Sequence, residues 1–299
     1  MTELPVFDFS DETNCGRMPQ WIRQAFGSED YAHTTRTLTQ YALNTVCVEA
    51  RCPNRGECWS RGTATFMLLG DTCTRACGFC AVKTGKPGGL DLDEPRRVAE
   101  AVKSMGLDYV VLTSVNRDDL RDGGAQIFAD TLIALRDDNP QIKLELLTPD
   151  FHRSQQHALE LIFHTVQELP GEAFLVWGHN IETVPGLYKR VRKGSDYQRS
   201  LQLLAGAASL NGIEAKSALM LGLGETAGEV EAVLTDLYRA GVKRIALGQY
   251  LRPTRYHLPV KEYISPEQFA EYEAMALELG FLWVKAGAMV RSSYHAEDE

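Results

Sequence analysis

The chain has 299 residues, of which 44% are hydrophobic and 24% are charged, and these globular proportions disfavour disorder except at the chain ends. This length allows one large domain, such as an α/β barrel of about 250 residues, or two ordinary domains. The net charge of −9, without a long basic block, disfavours nucleic-acid binding through phosphate neutralisation, so we expect a protein or small-molecule partner.

The sequence contains neither a membrane-spanning pattern nor a secretion signal. No run of about 18 apolar residues is present, and the first residues, MTELPVFDFSDE, lack the basic and apolar pattern of a signal peptide. We therefore expect a cytoplasmic protein with no membrane partner. Clustered thiols in a reducing compartment usually hold a metal, which makes six of the cysteines the first candidates for chemistry: Cys47, Cys52, Cys58, Cys73, Cys77 and Cys80. Cys15 lies apart from them and is interpreted as an incidental thiol.

The predicted elements change in character along the chain. The first 61 residues predict one helix, from about Asp30 to Asn44. Short apolar runs then predict six strands, at 63–70, 108–115, 142–149, 173–180, 214–222 and 243–251. Amphipathic segments predict the intervening helices at 94–105, 124–138, 154–166, 195–210 and 226–240. A last helix is predicted to begin at Pro266, with Ser265 as its N-cap.

Strands that alternate with helices predict a parallel sheet buried on both faces, either a barrel or a doubly wound sheet. No GxGxxG sequence follows the first strand, so a dinucleotide-binding sheet has no support. In parallel barrels the functional groups collect at the carboxyl ends of the strands. Those ends are rich in polar residues here, in TSVNRDDLRDGG, TPDFHR, GHNIET, GLGET and GQYLRPT.

Three cysteines lie directly after the first predicted strand, in DTCTRACGFCAVKTG. A structural zinc site takes four protein ligands, and a [4Fe–4S] cube has four irons to ligate. A cube held by Cys73, Cys77 and Cys80 alone would leave one iron free to bind a molecule that is not protein. The residues by themselves leave open a zinc site completed by a distant ligand.

The CxxxCxxC spacing after a strand, with Phe79 before the last cysteine, resembles the radical S-adenosylmethionine enzymes. A second run, CVEARCPNRGECW, places three more cysteines upstream, Cys47, Cys52 and Cys58. Six further segments stand in matching order: GTATFMLLGDTCTRACGFCAV, TSVNRDDLRDGGA, HNIETVPGLY, LGLGET, GQYLRPTRYHLPVKEY and RSSYHA. From about residue 36 to 296 the chain therefore resembles the lipoyl synthase family.

This resemblance implies two [4Fe–4S] clusters and S-adenosylmethionine as cofactors. One cluster would bind S-adenosylmethionine through the open iron left by Cys73, Cys77 and Cys80. The other, an auxiliary cluster, would be held by Cys47, Cys52, Cys58 and a serine of the RSSY segment, for which we predict Ser293 and keep Ser292 as the alternative. An oxygen ligand suits iron less well than a thiolate, so this corner is expected to be labile.

The resemblance also implies the reaction, a sulfurtransferase activity. Two sulfur atoms from the auxiliary cluster would be inserted at C6 and C8 of an octanoyl chain on a lysine of a lipoyl carrier protein or domain. A 5′-deoxyadenosyl radical would remove hydrogen from each unactivated carbon, which acid–base residues cannot do. The implied partners are the octanoylated carrier, an external electron donor and iron–sulfur assembly or carrier proteins.

Further cofactor contacts are predicted on the rim. By resemblance, Gly222 and Glu225 lie beside the adenine, as does the backbone of Phe79; the alternative for LGLGET is the exit turn of a buried strand. Polar cofactor contacts are predicted for Asn116, Asp118 and Asp119, with a solvated loop as the alternative, and for Asn180 and Glu182, with a structural network as the alternative. Two arginines, Arg252 and Arg291, are candidates for the cofactor carboxylate, or for an internal ion pair that positions the C-terminal segment.

We therefore predict an α/β fold, a partial (β/α)6 TIM-type barrel at 62–264. A cysteine-bearing N-terminal extension would occupy 1–61, and a short C-terminal extension would occupy 265–299. An incomplete barrel would leave a lateral opening for an octanoyl-lysine arm. The alternatives are a biotin synthase-like enzyme, disfavoured by the RSSY segment and the CxxxxCxxxxxC run, and a non-catalytic zinc protein or electron carrier, disfavoured by two thiol triads without a fourth cysteine.

Overall fold

The structure, a computed structural model, describes residues 9–22, 29–50, 52, 54, 57–58, 65–171, 174–294 and 296. Its strands are β1 Asn44–Thr45, β2 Thr65–Leu68, β3 Thr72–Cys73, β4 Lys83–Thr84, β5 Tyr109–Ser114, β6 Lys143–Leu147, β7 Leu175–Gly178, β8 Ile213–Leu221, β9 Arg244–Gln249 and β10 Trp283–Gly287. Its α-helices are α1 Glu29–Gln40, α2 Val46–Glu49, α3 Glu94–Met105, α4 Ala125–Asp138, α5 Gln155–Glu168, α6 Tyr188–Val191, α7 Tyr197–Ala208, α8 Ala227–Arg239 and α9 Pro266–Leu279. Two 3₁₀ helices lie at Gln20–Ile22 and Pro185–Leu187.

Eight strands form one sheet in the order β1-β2-β5-β6-β7-β8-β9-β10. Every neighbouring pair from β2 to β10 is parallel, whereas β1 runs antiparallel to β2. The strands follow one another in chain order, as in a β/α barrel. Among the described residues no strand pairing joins β10 back to β1 or β2, so the barrel is partial.

The predicted α/β fold is confirmed, and the six predicted strands are present as β2 and β5 to β9. Residues 63, 64 and 173 of those strands lie outside the described part of the chain. The structure adds β10, a seventh parallel strand for which the sequence analysis predicted no element. All five residues of β10 are half-buried, so neither face of this edge strand is distinctly apolar. The sequence therefore lacks the alternation of apolar and polar residues from which a strand is predicted.

The helix ends follow from local chemistry. The Ser265 side chain accepts a hydrogen bond from Gln268 N, which confirms the predicted N-cap of α9. Thr226 and Glu229 form a capping box at the start of α8. The first helix ends at Gln40, four residues before the predicted end, because Ala42 adopts a φ of 49°, which an α-helix cannot accommodate.

Two groups of buried side chains hold the sheet against its helices. The larger group includes Phe66, Leu112, Phe128, Leu146 and Trp177, and the second includes Leu219, Val233, Leu247 and Phe269. The sheet also contains a buried ion pair, in which Lys216 Nζ lies 2.8 Å from Glu145 Oε1. In the part of the chain that the structure describes, the helices are all too short or too polar to cross a membrane.

Candidate active site

A cavity of about 470 Å³ opens at the carboxyl ends of the parallel strands. This is the edge at which functional groups collect in parallel barrels, and the volume lies within the range of ligand pockets, about 300–1,000 Å³. Five of the seven cysteines line the cavity, together with both serines of the RSSY segment: Cys47, Cys52, Cys73, Cys77, Cys80, Ser292 and Ser293. The structure thus brings members of both predicted thiol sets and the predicted serine to one place.

Backbone hydrogen bonds fix the CxxxCxxC loop to the end of β5. Asn116 N donates to Cys73 Sγ at 3.3 Å, and Thr74 N donates to Asn116 O at 3.0 Å. Arg75 N also donates to Cys73 Sγ, at 3.4 Å. Such hydrogen bonds to a ligating sulfur are among the features that set the reduction potential of an iron–sulfur cluster. The backbone of Asn116 therefore supports the loop, while its side chain lines the cavity.

A buried arginine fastens the same loop to the scaffold. The Arg75 guanidinium donates to both carboxylate oxygens of Asp118 and of Asp150, at 2.6–2.9 Å. Asp150, which follows β6, also accepts from Arg199 Nε at 2.8 Å. Burial alone would raise the pKa of Asp150, but the hydrogen bonds and charge of Arg75 outweigh it and hold that pKa below its usual range. The Asp118 oxygens accept from Arg75 and Thr74, and the predicted cofactor contact of Asp118 stays a prediction.

Three polar side chains line the cavity near Cys77: Asn180, Glu182 and Arg192. Asn180 Nδ2 donates to Glu182 Oε1 at 3.1 Å, and Arg192 Nη1 donates to Asn180 O at 2.8 Å. Glu182 has a φ of 67°, which is costly for a residue other than glycine, and burial raises the pKa of its carboxyl group. A strained, buried carboxyl group beside a buried guanidinium is typical of a ligand site.

The LGLGET turn after β8 is held by hydrogen bonds between its own residues. The Glu225 carboxylate accepts from the backbone N–H groups of Gly222 and Leu223, and burial raises the pKa of Glu225. A Cβ atom at Gly222, where φ is 95°, would lie 2.3 Å from Glu262 O, so only glycine fits. Neither Gly222 nor Glu225 is among the described residues that line the cavity. The geometry matches a strand exit turn, and the adenine contact stays a prediction.

Phe79 and Arg252 both line the cavity but differ in their other contacts. Phe79 packs against a small buried group that includes Leu258. The Arg252 guanidinium donates to the carbonyl oxygens of Phe9 at 2.6 Å, Glu12 at 2.7 Å and His257 at 2.8 Å. Arg252 therefore holds the N-terminal segment, a role that neither predicted alternative for it included.

Cys47 lies on α2, and the other two upstream cysteines, Cys52 and Cys58, follow that helix in the chain. Cys47 N donates to the Thr45 side chain, which caps α2, and Cys52 N donates to Cys47 O at 3.1 Å. Cys58 N donates to Asn54 O at 2.9 Å. Cys47 and Cys52 line the cavity, whereas Cys58 is half-buried against the larger core group and outside the lining.

The C-terminal turn enters the same cavity. The Arg291 guanidinium donates to Val290 O at 2.6 Å, and burial lowers its pKa while the neighbouring Cys52 thiol acts in the opposite direction. Ser292 Oγ accepts from Asn180 Nδ2 at 3.3 Å. Arg291 thus stabilises its own segment. The hydrogen bond from Asn180 goes to Ser292 and not to Ser293.

The cavity gathers thiols of both cysteine sets, and thiolates are the ligands that hold iron–sulfur clusters. Among the described residues, no three His, Cys, Asp or Glu side chains converge on one ion position. A cube spreads its ligands over four irons, so its thiolates stand further apart than those around zinc. Burial raises the pKa of Cys77 to about 12 and raises that of Cys80 too, so a bound metal would have to replace the proton on each.

Three residues of the site were not predicted from the sequence: Arg75, Asp150 and Arg192. Arg75 lies inside the cysteine loop, and Asp150 lies in the strand-end segment TPDFHR. Their positions in these two segments were a sequence signal that could have identified both as site residues. Arg192 stands among other basic residues in YKRVRKG, where burial of one of them has no sequence signal. His179 bonds Thr148 O and Ser200 Oγ.

Comparisons with known proteins agree with this geometry. The model of the radical SAM superfamily matches residues 67–237. The chain is 48% identical over 284 residues to the lipoyl synthase of Neisseria meningitidis serogroup C, covering 95% of this chain and 86% of that protein. It is 50% identical over 285 residues to the lipoyl synthase of Methylobacillus flagellatus, with coverage of 95% and 86%.

A likeness to a solved structure concerns the fold alone. The crystal structure of Streptococcus suis SuiB bound to S-adenosylmethionine has a TM-score of 0.51 and 13% sequence identity, and the match covers 76% of this chain and 50% of SuiB. The chain thus matches half the length of that structure. Because the curated relatives match nearly all of the chain, the predicted family is confirmed, and with it the cofactors, S-adenosylmethionine and [4Fe–4S] clusters. This chain belongs to the radical SAM superfamily and, within it, to the lipoyl synthase family.

Proposed function

We propose that this chain inserts two sulfur atoms, at C6 and C8, into an octanoyl chain carried on a lysine of a lipoyl carrier protein or domain. The observation that carries the proposal is one cavity that receives thiols from both cysteine sets and the serines of the C-terminal turn. The activity named for the relatives, which share about half of the residues, supports the same reaction. The product would be a lipoyl group on the carrier.

The two cysteine sets have different roles in this proposal. The set Cys73, Cys77 and Cys80 holds the cluster whose fourth iron binds S-adenosylmethionine. The auxiliary cluster is held by Cys47, Cys52, Cys58 and Ser293, and it supplies the sulfur. An oxygen ligand among thiolates makes one corner labile, which suits a cluster that must be taken apart.

The chain's own residues bind and shield the reactants. When bound, S-adenosylmethionine and its cluster supply a radical that removes hydrogen from an unactivated carbon, chemistry beyond any acid–base side chain. The polar groups near Cys77 suit the charged end of the cofactor, because a buried carboxyl group and guanidinium complement its amine and carboxylate. Apolar side chains suit the alkyl chain, and they include Met67, Val115, Leu147, Ala218 and Ala246.

The partners follow from the same chemistry. The strand pairing ends at β1 and at β10, and we expect the octanoyl-lysine arm of the carrier to enter the cavity on that side of the barrel. Consumption of the auxiliary cluster requires assembly or carrier proteins to rebuild it, and the reaction requires an external electron donor. A cytoplasmic location, where thiols stay reduced, remains our expectation.

The test begins with the metal content. We expect about eight irons and matching sulfide per chain after reconstitution without oxygen, two cubes of four. The loaded enzyme, with S-adenosylmethionine and a reductant, should add two sulfur atoms to an octanoylated carrier, measured by mass spectrometry. About four irons would leave the chain without its sulfur donor. Zinc without labile sulfide would overturn the proposal.

A further inference from the structure

Two side-chain contacts join the upstream cysteine loop to the C-terminal segment. Asn54 Nδ2 donates to Met289 O at 2.6 Å. Tyr294 OH donates to the Glu57 carboxylate, at 2.9 and 3.0 Å from its two oxygens. We call these four residues the clamp.

The clamp connects the two ligand sets proposed for the auxiliary cluster. Its two N-terminal members lie between Cys52 and Cys58, and its two C-terminal members lie on either side of Ser293. The contacts join positions 235 and 237 residues apart in the chain. Bringing together two segments so far apart in the chain costs conformational entropy, which the tertiary contacts must offset.

Asn54 is built into this joint. Its side chain is buried, and its backbone oxygen accepts from Cys58 N at 2.9 Å. Met289 O can only accept, so the amide nitrogen must face it, and Asn54 Oδ1 is left buried with no hydrogen-bond partner within the described structure. Buried acceptors without partners are rare in native proteins, and this one lies at the joint between the two ligand sets.

We propose that the clamp positions Ser293 as the fourth ligand of the auxiliary cluster, with Asn54 and Tyr294 as positioning residues. The inference rests on the proposed function, in which this serine completes that cluster. A serine oxygen is a poor ligand for iron compared with a thiolate, so its binding depends on being held in place. Partners that orient a ligand without touching the metal typically contribute about 10–100-fold to metal affinity.

The test uses the full chain with Cys73, Cys77 and Cys80 replaced by alanine, so that only the auxiliary cluster assembles. About four irons per chain are expected after reconstitution. The readout is the rate at which bathophenanthroline, an iron chelator, removes iron in the absence of oxygen. Ser293→Ala should accelerate the loss, and Asn54→Ala or Tyr294→Phe should each accelerate it about tenfold.

Matched variants separate positioning from general stability. Tyr109→Phe removes another tyrosine hydroxyl that donates to a carboxylate, that of Glu145 at 2.7 Å, and should leave the rate unchanged. Glu57→Gln keeps an acceptor for Tyr294 and should retain the slow rate. The double variant Asn54→Ala with Ser293→Ala should lose iron no faster than Ser293→Ala alone, because the clamp acts through the serine.

The outcomes distinguish this inference from the proposed function. If Ser293→Ala leaves the rate unchanged, the serine is not a ligand, and both the ligand assignment and the clamp fail. If Ser293→Ala accelerates iron loss but the Asn54 and Tyr294 variants do not, the clamp alone is overturned. Acceleration by Asn54→Ala that persists in full without the serine would also overturn it, since the residue would then act on the fold.

Discussion

Arg75 Nη2 lies 2.6 Å from Asp150 Oδ1, and the two side chains are 4% and 0% exposed. Arg75 stands two residues after Cys73, whereas Asp150 follows β6, so the pair couples the cysteine loop to a different strand. Two further contacts surround the pair, from Arg75 to Asp118 and from Arg199 to Asp150. The buried carboxylate is therefore fully engaged by cations, the condition under which a buried ion pair is tolerated.

Replacing Arg75 by methionine should lower the free energy of unfolding by about 3 kcal/mol, at the lower end of the usual cost of breaking a buried pair, because Arg199 still contacts Asp150. Chemical denaturation of the cluster-free chain measures this. Arg96→Met removes an arginine whose ion pairs with Asp93 and Glu100 are exposed, and it should cost less than about 1 kcal/mol. Equal losses in the two variants would contradict the buried role.

Replacing Ser293 by alanine should leave cleavage of S-adenosylmethionine intact and reduce sulfur insertion at least about tenfold, because the cofactor cluster keeps its three thiols. Both products, 5′-deoxyadenosine and the lipoyl group, are measured in one reaction. Ser292→Ala is the matched control and should retain insertion, since Ser292 accepts from Asn180 instead. Full lipoyl product from Ser293→Ala would remove that serine from the mechanism.

Replacing Gly248 by alanine should displace the C-terminal segment, because a Cβ atom there would lie 2.1 Å from Val290 O. Overpacking of this kind typically costs about 1–3 kcal/mol. We expect a lower thermal unfolding midpoint and loss of auxiliary-cluster iron, with the cluster of the CxxxCxxC loop retained. Gly89→Ala is the control, since nothing lies within 4 Å of a Cβ atom at that position. An unchanged iron content in Gly248→Ala would refute the displacement.

His179 should make stability depend on pH. Burial, together with the charge of Arg192, lowers the pKa of His179 to about 4. Between an ordinary pKa of about 6.5 and this value the unfolded chain binds a proton that the folded chain does not, so stability falls as pH falls, by at most about 1.4 kcal/mol per pH unit. Urea midpoints of the cluster-free chain from pH 7 to 4 measure the slope.

His179→Gln should flatten that slope in the same pH window, while His157→Gln, at an exposed position, should leave it unchanged. Above the ordinary histidine pKa of about 6.5 the group is neutral in both states and contributes no slope. Parallel curves for the wild-type chain and His179→Gln would show that the buried imidazole takes up its proton without cost.

The sequence by itself determined the elements and the chemistry of the cysteines. Strands β2 and β5 to β9 and helices α3 to α5 and α7 to α9 were all predictable, because apolar periodicity and end signals such as Ser265 before Pro266 are local. The thiol triads were equally readable, because ligand spacing within one loop is also a local property. The family follows from these short segments and their order.

The tertiary structure decided which polar residues remain available at the site. Asp118 pairs with Arg75, 43 residues away, and Arg252 holds the N-terminal segment, 243 residues from Phe9. Strand β10 and the clamp likewise depend on partners that are remote in sequence. Pairing between distant residues leaves no period in the sequence, because it is set by how the packed elements meet, and only the folded chain shows it.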